Sequence, residues 1–411
     1  MKVYLDNAAT TKTDDAVIQA MATAMAETFG NASSVHGFGR PARQAIEKAR
    51  RQVAALINAQ PEEILFTSGG TESDNLALVG VAEAYRRKGN HIITTQVEHH
   101  AVLHTCEQLE KRGYTVTYLP VDEFGRVSAE QVEAAITAET ILVSIMYGNN
   151  EVGTLMPIAE IGRVTRAKGV LFHTDAVQAA GQVPVDVVAD QVDLLTLTGH
   201  KLHGPKGCGA LFVRKGVRVA PQLFGGAQER SIRPGTENVP GIVGLGVAAE
   251  LAGQRLAADG NRRMRELRNY LLKGILERIP EVKVNGHAME RLPNNVNVSI
   301  KFIEGEGMLL SLDMAGIAAS SGSACTSGSL DPSHVLLAMG LDHATAHGSL
   351  RLSLSHETTV EEIDYVLEKL PAIVERLRGM SPLWQAEQSK LADDVACARQ
   401  NRAGCACPYK G

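Results

Sequence analysis

Apolar and polar positions alternate along this chain with two different periods, and the switching between them predicts its elements. Short apolar or β-branched runs recur at 63–67, 91–95, 115–119, 141–147, 171–174 and 192–197, bounded by turn formers, and read as buried strands. Between them, apolar residues spaced three and four apart predict helices at 41–58, 101–112, 128–135 and 158–168. Val17, Met21 and Met25 share one face of an earlier helix, with Asp14 at its start as the expected cap. Strands alternating with helices predict an α/β architecture, a mostly parallel sheet with helices on both faces and a ligand at the carboxyl ends of the strands. After the turn at Asp259-Gly-Asn261 the grammar changes. A long charged helix to about 279, strands at 282–284 and 295–300, a helix at 307–315, an alternating strand at 349–355 and a helix at 360–377 suggest a smaller α+β unit. The expected division is a large unit of 13–259, a small one of 1–12 with 260–381, and a C-terminal extension of 382–411.

Polar clusters fall where the strands end. After 192–197 comes Lys201, in a turn of histidine, glycine and proline. Most lysines are solvated surface cations, but Thr198 and His200 flank this one with groups that hold oxyanions, and Gly204-Pro-Lys-Gly207 fixes the turn. A desolvated amine there is a nucleophile able to form a Schiff base with a carbonyl, which makes Lys201 a candidate anchor for pyridoxal phosphate. Asp175, beside a pyridine nitrogen, would keep it protonated; Gln178 could donate to the ring hydroxyl oxygen, and His99 could stack on the ring. Taken singly, such residues are as readily core histidines or caps, and Asp175 also reads as the N-cap of a helix starting at Ala176. Ser68-Gly-Gly-Thr-Glu-Ser-Asp-Asn75 leads from a strand into a helix and offers backbone N–H groups to an anion. The loop 225–238, rich in glycine and arginine, suits a phosphate or a plain surface. Arg351 lies within a strand, where it needs an anion, either a substrate carboxylate or a salt-bridge partner. Cys325 sits in a tract of small residues, suited to a nucleophile that travels, whereas Cys106 and Cys208 read as small buried hydrophobes.

Composition narrows the classes. A chain of 411 residues, 44% hydrophobic and 21% charged, suggests an ordinary globular protein of two domains. The net charge of −5 and the shortness of its basic clusters argue against a nucleic-acid partner. The N-terminus has no basic region followed by an apolar stretch, and no run approaches the length of a membrane-spanning helix, so a cytoplasmic protein is expected. Six irregularly spread cysteines do not make a disulfide framework, and Cys397, Cys405 and Cys407 in the tail match no familiar zinc ribbon.

Several separate motifs carry a family likeness: Leu5-Asp-Asn-Ala-Ala-Thr-Thr11, Thr67 to Asn75, Val97-Glu-His99, Asn149-Asn-Glu-Val-Gly153, His173-Thr-Asp-Ala-Val-Gln178, Gly199 to Gly207, Arg233 to Asn238 and Ser321 to Ser327. Together they resemble the cysteine desulfurases of the class V aminotransferase superfamily, from the first strand to about Pro382. The wording of 323–334 and of Gly235-Thr-Glu-Asn238 most resembles the nitrogen-fixation branch, NifS. The resemblance implies a pyridoxal-phosphate-dependent transferase of fold type I that turns L-cysteine into L-alanine and keeps the sulfur as a persulfide on Cys325. It also implies a Schiff base at Lys201, stacking by His99, a pyridine-nitrogen partner at Asp175, and ring contacts from Asn150 and Gln178. Phosphate would be held by Gly70, Thr71, Thr198 and His200. Gly199, in the same turn, stands where the housekeeping enzymes tend to have serine. Asn150 and Arg351 would bind substrate, Arg351 through its carboxylate. Thr236 would reach the phosphate of the other subunit, implying a homodimer. The sulfur acceptor would be an iron–sulfur scaffold protein of NifU type, with Cys325 transiently touching the nascent cluster. A selenocysteine lyase or a class V aminotransferase would share Lys201, Asp175 and His99, although a transaminase would not need Cys325. A metal or sulfur carrier built on the tail cysteines is the non-enzymatic alternative.

Overall fold

Successive residues of a strand point to opposite faces, so strands apolar at every position must be covered on both sides. The computed structural model, which describes residues 1–321, 332–382 and 384–385, is built on this rule. Cys325 and the tail cysteines lie outside the described residues. The strands are β1 (Val3–Tyr4), β2 (Ile64–Thr67), β3 (His91–Thr95), β4 (Thr115–Leu119), β5 (Thr140–Ser144), β6 (Leu171–Asp175), β7 (Leu194–Thr198), β8 (Gly209–Val213), β9 (Val282–Val284), β10 (Asn295–Ile300), β11 (Ile317–Ala318) and β12 (Ser349–Ser353). Seven of them form one sheet in the order β2-β8-β7-β6-β5-β3-β4. Ile92, Leu194 and Leu211 pack into one hydrophobic cluster, and their neighbours Ile93, Leu195 and Phe212 into another, which puts a core on each face.

The first helices are α1 (Asp15–Glu27), α2 (Gly39–Leu56), α3 (Gly70–Tyr85) and α4 (His100–Lys111). Leu76, Val79, Val102 and Leu109 of α3 and α4 cover one face, while Ile46 and Val53 of α2 cover the other. Every pairing from β4 through β3, β5 and β6 to β7 is parallel. β8 runs antiparallel to both β7 and β2, so two reversals return β2 to the direction of β7. The carboxyl ends of β2, β3, β5, β6 and β7 therefore lie along one edge.

Beyond the helix Val239–Asp259, Gly260 and Asn261 both adopt left-handed backbone and turn the chain into the helix Arg262–Arg278. There a second sheet, β12-β10-β9, is antiparallel and packs its own apolar cluster, with Leu271, Val298, Leu350 and Leu367 fully or almost fully buried. Val335, Leu336 and Met339 behave differently from the rest of this half, packing into the core of the large sheet.

The N-terminal residues form an arm that is bonded along its length. β1 pairs with β11, the Ser353 amide donates to Leu5 O at 2.7 Å, and Thr11 donates through both its amide and its hydroxyl to His200 O at 3.0 and 2.9 Å. The arm thus runs from the second sheet to the turn that carries Lys201.

Candidate active site

Parallel strands present their terminal residues together, and here that edge opens on a cavity of about 340 Å³, within the range of small-molecule sites. Lys201 sits in a single 3-10 turn, Gly199–Lys201, directly after β7. Its Nζ donates to Ala9 O at 2.6 Å and also to Ala8 O, so the arm closes one wall. Asp175 ends β6, and its Oδ1 accepts the Val177 amide at 2.9 Å. No helix begins at Ala176, whose amide donates to Thr196 O instead, so Asp175 is a strand-end carboxylate rather than an N-cap. Burial pushes Asp175 above the ordinary carboxylate range, and the nearby Lys201 pulls it back. Asp74, on the first turns of α3, is pushed up by burial and by facing Asp175. Asp74 Oδ1 lies 3.7 Å from His173 Nε2 and has no hydrogen-bond partner among the described residues.

His99 does two things at once. It is the N-cap of α4, its Nδ1 accepting the Ala101 amide at 3.1 Å, and its ring lines the cavity. Accepting at Nδ1 leaves the proton on Nε2 of the neutral ring. Burial, helped by the Lys201 cation, lowers the ring to about 4, which keeps it neutral near pH 7.

Gly70, Thr71, Asn150, Gln178, Thr198 and His200 also line the cavity. Gly70 and Thr71 open α3, where first-turn amides lack intrahelical partners. A Cβ on Gly70 would come within 2.9 Å of Val177 Cγ2, so only glycine lets this backbone reach the cavity unobstructed. Thr198 donates to Cys208 O at 3.3 Å, and His200 Nδ1 lies 3.2 Å from Thr10 Oγ1. Gln178 Nε2 donates to Ala8 O at 2.9 Å, so here its amide ties down the arm. Gly199 lies behind the cavity, where a Cβ would meet Pro205 O at 2.8 Å, leaving only its backbone to contribute. Thr236 is exposed and is not among the lining residues. Arg233 of the same loop reaches Glu72 on α3 at 2.8 Å.

Arg351 reaches the cavity from β12 with only 2% of its surface exposed. Of the two anions expected for a strand arginine, the salt-bridge partner is present. Nη2 pairs with Asp6 Oδ1 at 3.1 Å, Nη1 donates to Asn150 O at 3.0 Å, and Nε has no hydrogen-bond partner among the described residues.

The donor set fits pyridoxal phosphate: an amine for the aldehyde, a buried carboxylate for the ring nitrogen, a flat neutral imidazole for the ring face, and a helix N-terminus for the phosphate. Arg351 Nε adds an N–H donor with no hydrogen-bond partner among the described residues.

Sequence reasoning missed the residues behind this wall. Glu98 is fully buried, takes the Thr95 hydroxyl at 2.7 Å and the Met146 amide at 3.0 Å, and is raised by burial to about 8. Glu151, likewise buried and raised to about 7, accepts the Ser333 hydroxyl. Their only signal was position, one residue before His99 and one after Asn150. Asp14 departs from its expected capping role, since its side chain makes no cap bond and pairs with Arg255 at 3.1 Å and His356 at 3.4 Å. Cys106 and Cys208 are buried, and burial raises both thiols, Cys208 to about 12, as small hydrophobes should be.

The family model described as aminotransferase class-V matches residues 3–366. The chain is 55% identical over 389 residues to the cysteine desulfurase IscS of Methanosarcina thermophila, covering 95% of this chain and 96% of that protein. It is 53% identical over 397 residues to a cysteine desulfurase of Nostoc sp., covering 95% and 99%. Among solved structures, a NifS-like protein superposes with a TM-score of 0.86 at 41% identity, over 92% of this chain and all of that one. A structure described as SspA in complex with cysteine gives 0.77 at 37%, over 86% and 99%.

Proposed function

The chain belongs to the class-V aminotransferase family, with the fold of type I pyridoxal-phosphate enzymes, and from that premise we propose that it is a cysteine desulfurase. The observation that carries this reading is one cavity holding Lys201, Asp175, His99 and Arg351, in a chain 55% identical to a named cysteine desulfurase.

Pyridoxal phosphate, the cofactor of this family, supplies an electron sink that acidifies the α-carbon of a bound amino acid and loosens the bond to its β-sulfur. The chain's own residues do the rest. Lys201 would hold the cofactor through its amine and, when free, would take the α-proton on its Nζ lone pair, the amine being aimed by its hydrogen bonds to the Ala8 and Ala9 carbonyls. Asp175 keeps the ring-nitrogen proton in place, because a buried carboxylate gains most from a cationic partner. His99 forms the ring wall and offers Nε2–H. The amides of Gly70 and Thr71, the Thr198 hydroxyl and His200 hold phosphate. Arg351, kept in line by Asp6 and the Asn150 carbonyl, binds the substrate carboxylate.

Cys325 is proposed as the sulfur acceptor. Its thiolate attacks the substrate sulfur, the S–S bond forms as the C–S bond breaks, the carbon keeps the electron pair, and protonation gives alanine. Cysteine and enzyme thiol thus become alanine and enzyme persulfide, with no outside oxidant.

Thr236, exposed and outside its own chain's cavity, suits contact with a second copy, and exposed Phe29, Val35, Phe38 and Phe224 suit a homodimer. The separate core of Leu271, Val298 and Leu367 supports a small unit of 260–381 joined by 1–12, beside a large unit of 13–259. A free Cys325 thiol requires a reducing compartment, so the cytoplasm is the proposed setting; no helix among the described residues is long and apolar enough to cross a membrane. The wording of 323–334 favours the nitrogen-fixation branch, with a NifU-type scaffold as acceptor.

Adding L-cysteine to the purified yellow protein, then quantifying alanine and mapping persulfide by mass spectrometry, tests the reading. Alanine together with sulfur on Cys325 is expected, both lost in Cys325→Ala while the cofactor spectrum stays intact. Alanine without sulfur ever reaching Cys325 would rule out the covalent step.

A further inference from the structure

Behind the cavity wall, three side chains from distant parts of the chain converge. Asp14 stands just before α1, His203 two residues past Lys201, and His356 shortly after β12. One ligand atom from each lies within 4.8 Å of the other two. Asp14 Oδ1 and His356 Nε2 are 3.4 Å apart, and the two imidazoles meet edge to face, with centroids 4.4 Å apart at 77°. We infer that Asp14 Oδ1, His203 Nε2 and His356 Nε2 form a structural site for one divalent transition cation of the zinc type, with a fourth position open to water.

The surroundings of these groups are those of metal ligands. A ligating histidine characteristically donates its other ring N–H to a carbonyl or carboxylate, which fixes the tautomer. His203 Nδ1 lies 2.9 Å from Lys12 O, which leaves the Nε2 lone pair free of the proton. Asp14 is oriented in the same manner, with Oδ2 held by Arg255 Nη1 at 3.1 Å, leaving Oδ1 toward the imidazoles. Zinc bonds of about 2.0–2.1 Å in tetrahedral geometry set ligand atoms about 3.3 Å apart, close to the Asp14–His356 separation.

The backbone is held as well. His203 adopts a left-handed φ of 61°, its amide donates to Thr11 Oγ1 at 3.0 Å, and its carbonyl accepts the Asp14 amide at 2.9 Å. A neighbouring cavity of about 210 Å³, bounded in part by Arg255, Asn261, Ser355 and His356, gives an ion and its water a way in. The competing arrangement is a plain ion pair of Asp14 with a protonated His356. His203 has no part in such a pair. A metal uses all three groups, and it would tie the arm, the Lys201 turn and the Arg351 strand together at one point.

The test uses full-length protein with its cofactor bound, stripped of metal and titrated with Zn²⁺ against a chromophoric chelator, with Co²⁺ as a spectroscopic probe. One tight ion per chain is expected, with only nitrogen and oxygen neighbours by X-ray absorption, and it should persist when Cys397, Cys405 and Cys407 are all changed to serine. His203→Asn and His356→Asn should each weaken binding by at least about tenfold and abolish any Zn²⁺-dependent rise in Tm. Asparagine tolerates the left-handed backbone at 203, and His356→Asn stands as a second variant if the first folds poorly. Unchanged affinity in both histidine variants, a sulfur-containing shell that vanishes with the tail cysteines, or no Zn²⁺ binding at all overturns the assignment.

Discussion

Glu98 has an ordinary carboxyl in the unfolded chain and one raised to about 8 in the folded protein, through burial first, with Asp175 adding to the rise. The folded state therefore holds the proton more tightly, and this contribution to stability is complete below about pH 4.5 and lost as pH rises through 8. Thermal denaturation followed between pH 6.5 and about 8.5 should show a falling Tm in the wild type and a flatter profile in Glu98→Gln. His173 behaves oppositely, being fully buried and lowered to about 3 by burial. Its contribution is complete above about 6.5 and lost as pH falls toward 3, so it leaves the alkaline window unaffected. Arg351 gives a prediction in kinetics. Hydrogen bonds to charged groups are worth about 1.5–3 kcal/mol, so Arg351→Lys, which removes the planar fork, should raise KM for cysteine by about tenfold or more, with a smaller effect on kcat. Lys201, Asp175 and His99 were legible in the sequence because their chemistry is unusual at strand ends. Asp14 departed from its expected capping role because its partners, Arg255 and His356, are remote in sequence.

Elements were legible as far as their patterns are local. The helix Val360–Gly379 begins with a reciprocal cap in which Thr359 Oγ1 accepts the Glu362 amide at 3.3 Å and Glu362 Oε2 accepts the Thr359 amide at 2.9 Å. Thr359→Ala should lower unfolding free energy by about 1 kcal/mol, measurable by urea denaturation, without altering the cofactor spectrum. Strand limits were less legible than strand existence. The run expected at 141–147 is assigned as a strand only at Thr140–Ser144, yet Ile145 and Tyr147 still donate to His173 O and Asp175 O at 3.1 and 2.8 Å. β8 escaped the periodicity, and its antiparallel direction is set by pairing with β7 and β2 rather than by anything in residues 209–213.

At the scale of the whole molecule, the arm is what joins the two sheets to the site. Asp6 holds Arg351, Ala8 and Ala9 take the hydrogens of Lys201, and Thr10 and Thr11 meet His200. No local pattern reveals this, because every one of these contacts spans well over a hundred residues. Removing residues 1–9 should weaken pyridoxal phosphate retention by at least about tenfold, since the cavity loses a wall and Arg351 loses its counter-charge in a buried setting; absorbance after gel filtration measures it.

The role of Lys201 can be read off directly. Borohydride reduction of the yellow protein, followed by peptide mass mapping, should find a pyridoxyl group on Lys201 and on no other lysine. A label on Lys206 or elsewhere, or none at all, would contradict it.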